Sequence, residues 1–469
     1  MQKSNLKNKI ITSFLWCLFA AAFLCFLFDP HKNGYGITNW QSMFFLCISF
    51  FVLAYMLFGA ICAWLYKPAS PLPDEQLPGC TILVPAYNEG QHVAETLYSL
   101  FAADYPAEKL QIIAINDGSK DDTLDWIRKA EQKAEGRLQV IDLAKNGGKK
   151  HALYQGIQVA KYDIIVTIDS DSVITPDSLR NIVSAFQAPD IGGVAGNIRI
   201  KNLNGGIIPR MMDVGFMFGF EIIRSAQSLA GCVMCTPGAL SAYRKSLILP
   251  FLNQWLDQKF LGVAATIGED RAIATMILQH GYRIVFQHDA VAFTCIPETY
   301  VRFCKMLLRW MRSDVRENYL ITCYGLKNIH PFRLTYWCFL FHLSFQVLAS
   351  VLPVAALPLL GWMCMTMPLS EVWHSLYYST GLGFVSALIP ALIYAVRISV
   401  LNAVWALVYS IYNAIFLVWI PIYALFTVRN AKWMTRELQI KRKPSKWRRI
   451  CRVKRYYMSR IPDGLLKLK

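Results

Sequence analysis

Two carboxylates one residue apart, Asp169 and Asp171, follow the apolar run 164–168. Such a mostly β-branched run reads as a strand buried on both faces, as in a parallel sheet. The acids then fall at or just past its carboxyl end, where open α/β sheets bind their ligands. Placing two carboxylates there costs desolvation and mutual repulsion unless a cation or hydrogen bonds offset it. A divalent ion would serve, and so would an ordinary turn in which Asp closes the strand.

Other chemistry-bearing groups recur at equivalent places. A strand at 80–85 ends near Asn88 and Glu89, and one at 111–116 ends at Asp117-Gly118-Ser119. A third, 138–142, leads to Gly147-Gly148-Lys149-Lys150, which offers flexible backbone and two cations suited to a diphosphate. The Walker spacing and its terminal Ser or Thr are missing, so this is not a P-loop. Successive βα units share a handedness that brings these ends to one rim of one sheet. Together they describe a nucleotide site.

The acceptor half of such a site needs a base. Glu269 and Asp270 open a helix, where Asp270 reads either as a capping acid or as a base whose pKa Glu269 would raise. The small-residue turn Thr236-Pro237-Gly238 is a place where backbone can pass close to a ligand. Arg309 and Trp310 pair a forked cation with a flat ring inside a basic amphipathic stretch, 300–324, read as lying at a membrane interface. A snorkelling cation beside an interfacial tryptophan gives the same pattern.

The elements that must carry these residues divide the chain of 469 residues into membrane and α/β parts. At 55% hydrophobic and 17% charged, a wholly soluble protein is excluded as the natural reading. Residues 1–78 hold two expected spans, 10–28 and 43–66, and a proline-bearing linker. An α/β region follows at 79–297, then interface helices at 298–330. Expected spans at 335–367 and 377–400, and an interfacial or re-entrant segment at 409–426, fill 331–428. From 429 to 469, fifteen Lys or Arg face two acids. The positive-inside rule puts that tail, both termini and the α/β region in the cytoplasm. The net charge of +17 suits membrane lipids and phosphate-bearing substrates. No nucleic-acid motif accompanies it. Cys232 and Cys235 form a CxxC without a second pair, so the thirteen cysteines read as structural.

In this order the motifs Val84-Pro85-Ala86-Tyr87-Asn88-Glu89, Asn116-Asp117-Gly118-Ser119, Gly148-Lys149, Asp169-Ser170-Asp171, Gly268-Glu269-Asp270 and Arg309-Trp310 resemble the processive inverting family-two membrane glycosyltransferases. The hyaluronan, chitin-oligosaccharide and poly-N-acetylglucosamine synthases are of this kind. The resemblance implies a GT-A-type fold, a Rossmann-like mixed sheet, between transmembrane helices. It implies a UDP-sugar donor, a saccharide acceptor and a Mn or Mg ion, and leaves room for an accessory membrane subunit. By the same resemblance Asp117 contacts uridine, Asp169 the nucleotide and Asp171 the metal. Lys149 and Arg309 face the diphosphate, Trp310 stacks on the acceptor, and Asp270, with Glu269 beside it, is the base. Trp433, Thr435 and Arg436 match a gating loop over the donor. The family's Gln-x-x-Arg-Trp motif has Met306 at its Gln position. The implied product is a β-linked polysaccharide of N-acetylglucosamine. A two-donor hyaluronan-type synthase, a lipid-linked single-sugar transferase and a membrane scaffold or transport subunit are the alternatives.

Overall fold

The computed structural model describes residues 40–134, 136–328 and 334–430. The first expected span, Trp433, Thr435 and Arg436, and most of the basic tail lie outside the described residues.

Ten strands are described: β1 (Cys80–Ala86), β2 (Leu110–Asn116), β3 (Leu138–Asp142), β4 (Ile164–Thr167), β5 (Val173–Ile174), β6 (Ile191–Ile200), β7 (Ser241–Arg244), β8 (Lys259–Phe260), β9 (Val263–Ala264) and β10 (Arg283–Thr294). Eight form one sheet in the order β3-β2-β1-β4-β7-β6-β10-β5, and β8 pairs with β9. β3, β2, β1 and β4 pair parallel. β7 runs antiparallel to both β4 and β6. The sheet is therefore mixed, and β7 begins at the rim where β1, β2 and β4 end. Ile82, Leu83, Val84, Ile112, Ile113, Ile165 and Val166 are wholly buried, as their unbroken apolar runs require.

Besides two short helices, Lys245–Ile248 and Leu252–Leu256, there are α1 (Trp40–Leu65), α2 (His92–Phe101), α3 (Thr123–Lys133), α4 (Lys149–Val159), α5 (Ser178–Ser184), α6 (Ile207–Met217), α7 (Ser225–Leu229), α8 (Glu269–Gln279), α9 (Tyr300–Lys327), α10 (Leu334–Thr366), α11 (Leu369–Arg397), α12 (Val404–Tyr412) and α13 (Trp419–Phe426) among the described residues. A stretch of π-helix, Phe218–Arg224, joins α6 to α7, and another, Asn413–Leu417, follows α12. Within α1, Cys47–Leu65 is long and apolar enough to cross a membrane, and so is α10. The span expected at 377–400 falls within α11, whose part Gly383–Arg397 is apolar. Residues 401–426 form a pair of helices bent by 47°, a broken span or a re-entrant loop.

α9, expected at a membrane interface, turns part of its basic face into the protein. It packs against α8, α10 and α13, and Arg312 and Arg316 are buried in protein. Arg316 donates to Glu317 and to the Ile267 carbonyl, and Arg312 donates twice to Thr427 Oγ1 just past α13. Met306 lies in an apolar cluster with Phe303, Leu308, Leu417 and Ile420.

A second joint ties the sheet to α11. Glu221, in the first π-helical stretch, binds Arg199 of β6 at 2.6 Å, Arg397 of α11 at 3.3 Å and His288 of β10 at 3.6 Å. Burial alone would raise this carboxyl, but His288 and the two arginines hold it down at about 2. Next to it, the Tyr394 hydroxyl of α11 donates to Asp213.

Candidate functional site

The rim is laced together by side chains of the strand-end loops. The Asn88 N–H donates to Ser119 Oγ, and Asn88 Oδ1 accepts from the Lys120 N–H. Thr123 Oγ1 accepts from the N–H groups of Glu89 and Gly90. Asp117 is buried, and its two oxygens accept from the Gly147 and Gly148 N–H groups at 2.8 and 2.9 Å. It thus fixes the glycine loop from below and leads the chain into α4.

Lys149, the first residue of α4, reaches across the rim. Its ammonium sits 2.5 Å from Asp169 Oδ1 and 2.8 Å from Glu269 Oε1, almost fully enclosed. Burial would lower its pKa, but Asp169 and Glu269 outweigh that and hold it above the usual lysine range. Lys150 was expected to face the diphosphate beside it and does not. It is buried, donates to the Ala265 carbonyl and lies over the Trp255 ring. Burial, then the charge of Arg316, lowers it to about 8.

Asp270 is positioned by backbone. Its Oδ2 accepts from the Gly238 N–H at 3.1 Å and its Oδ1 from the Arg271 N–H at 2.8 Å. A side chain at Gly238 would collide with the Lys149 ammonium, so the turn before β7 needs glycine to let both groups approach. Gly268 holds the left-handed conformation (φ 69°) that starts α8, and a Cβ there would strike Ser313 of α9. Burial, followed by the neighbouring Glu269, pushes Asp270 up to about 6. Burial would raise Glu269 too, yet Lys149 keeps it below the usual range, with help from the charge of Arg309. The adjacent acids are thus driven apart, one held ionised and one brought near neutrality, the pattern that separates acid–base roles.

The structure therefore brings Lys149, Asp169, Glu269 and Asp270 together, with Arg309 in electrostatic reach. Asp171 lies half-buried just past Asp169, with the Ser172 hydroxyl donating to it at 3.3 Å. Trp310 turns toward Phe216, ring centroids 6.2 Å apart. The Gly238 and Arg271 backbone amides belong to the site although their residue types single out neither. The only signal for Gly238 was the run of small residues around it. Among the described residues no group of three His, Cys, Asp or Glu side chains could hold a metal by itself.

The model of the family "Glycosyl transferase family 2" matches residues 81–249. An N-acetylglucosaminyltransferase of Azorhizobium caulinodans is 28% identical over 77% of this chain and 88% of its own. A hyaluronan synthase of Streptococcus pyogenes is 26% identical over 92% of this chain and 97% of its own. Among solved structures, a mannosyltransferase from Pyrobaculum calidifontis in complex with GDP-Man and Mn2+ aligns with a TM-score of 0.55 at 22% identity. That alignment covers 80% of this chain and 98% of the other, and it shows the shared GT-A-type fold.

Proposed function

We propose that this chain, a family-two glycosyltransferase, transfers N-acetylglucosamine with inversion from a UDP-sugar to the end of a growing β-linked polysaccharide. The observation that carries the reading is the Lys149 ammonium between Asp169 on the donor side and the Glu269-Asp270 pair on the acceptor side. The relatives named above as an N-acetylglucosaminyltransferase and a hyaluronan synthase support the choice of sugar.

Asp117 orders the loop under the nucleotide, and Asp169 holds the nucleotide sugar. Hard carboxylate oxygens on Asp171 and Asp169 fit Mn or Mg, which take their remaining ligands from water and phosphate. Such an ion supplies charge stabilisation to the departing diphosphate. Lys149 and Arg309 add fixed positive charge on the same side. Asp270 takes the proton from the acceptor hydroxyl as that oxygen attacks the anomeric carbon and the bond to UDP breaks. Trp310 supports the acceptor sugar. The enzyme is a multi-pass protein of the cell membrane with its catalytic region in the cytoplasm, and it passes its product into the bilayer-spanning part.

UDP release, followed with a panel of UDP-sugars with and without chelator, tests this directly. UDP-N-acetylglucosamine alone should support turnover and long product, and chelator should abolish it until Mn or Mg is restored. Strict need for a second UDP-sugar would establish the hyaluronan-type alternative, which the extent of the Streptococcus match favours. A single-sugar lipid product would overturn polymerisation.

A further inference from the structure

We propose that Arg271 is a positioning residue for the Asp270 base and takes its own position from α10. The inference rests on reading Asp270 as the base. Its backbone N–H binds Asp270 Oδ1, while its side chain leaves in another direction and is buried between α9 and α10. One guanidinium nitrogen lies 3.0 Å from Asp314 Oδ1 on α9. Another donates to Asn318 Oδ1 of α9 at 2.7 Å and to Gln346 Oε1 of α10 at 2.5 Å. Asn318 continues the contact by donating to Ser350 Oγ, one turn beyond Gln346.

These polar groups sit on a helix whose composition suits a bilayer. A helix needed only to cross lipid has no use for a glutamine and a serine facing a buried arginine, and polar groups in such helices mark working sites. A planar fork reaches separated acceptors in fixed directions, which a compact ammonium cannot. Asp314 lies one turn beyond Trp310 on α9, so the same fork fixes the base relative to Arg309 and Trp310. On its other side Asp270 is held by the Gly238 amide at one carboxylate oxygen and by the Thr236 hydroxyl at its carbonyl. Displacing a catalytic group by about 1 Å can cost about a hundredfold in rate.

The full-length enzyme in native membranes, assayed by UDP release against UDP-N-acetylglucosamine concentration, tests the inference. Rates are normalised to the amount of enzyme that binds UDP. Gln346→Leu is expected to lower kcat about tenfold with the donor KM within about twofold of the parent. Gln346→Glu, which keeps an acceptor oxygen, should recover at least half of that kcat, and Arg271→Lys should fall as far as Gln346→Leu. Parent kcat in Gln346→Leu, equal losses in the Leu and Glu variants, or a donor KM that changes as much as kcat would each overturn the inference. Should Gln346→Leu fail to accumulate, the kcat-against-KM split in Arg271→Lys decides alone. Asp270→Asn is run in parallel: parent activity there removes the base reading itself. An inactive Asp270→Asn beside a fully active Gln346→Leu removes only the role of Arg271.

Discussion

A carboxylate acting as base must be ionised when the acceptor arrives yet basic enough to take its proton. At about 6, Asp270 meets both conditions near neutral pH. Asp270→Asn should lower kcat by about 10²–10⁴ with donor binding retained, measured by UDP titration beside turnover. Because the ionised form is the active one, the rate should fall on the acid side, about tenfold per pH unit below about 6. Lys149 lowers the Asp270 pKa, so Lys149→Met should move that limb upward on top of its loss of rate. A limb that stays in place would separate Lys149 from the base. Asp169 and Asp171 were legible because strand-end carboxylates are costly, and Glu269 and Asp270 because they stand together at a helix start. The divergence of Lys149 and Lys150 was not, since a helix starting at Lys149 turns consecutive side chains about 100° apart and only the fold decides which one meets the rim.

At the scale of elements, the strands that read as unbroken apolar runs formed at nearly the expected bounds. The direction of β7 could not be read from four residues, and that direction is what delivers Gly238 to Asp270. For α9, the pattern of cations and rings does not say which of them turn inward, and Arg312 and Arg316 are the two that its neighbours bury. The Gln position of the family motif shows the same dependence on neighbours. Met306 is buried among apolar side chains, so Met306→Gln should destabilise by about 1–3 kcal/mol rather than restore a contact. Thermal unfolding in detergent measures this, and an unchanged midpoint would mean that the amide finds a polar partner.

For the molecule as a whole, hydropathy picked out the two long apolar helices, α1 and α10. Two such helices should keep the protein in the membrane pellet through alkaline carbonate extraction; release into the supernatant would count against a spanning arrangement. The joint at Glu221 has a consequence for how the sequence can drift. One buried carboxylate serves cations from β6, β10 and α11, so losing it alone would leave like charges facing one another with no counter-charge, the largely enclosed Arg199 most of all. Among descendants of this gene, positions 199, 221, 288 and 397 should therefore change as a group or hold still, and a lone substitution at 221 should be accompanied by a neutral residue at one of its partners.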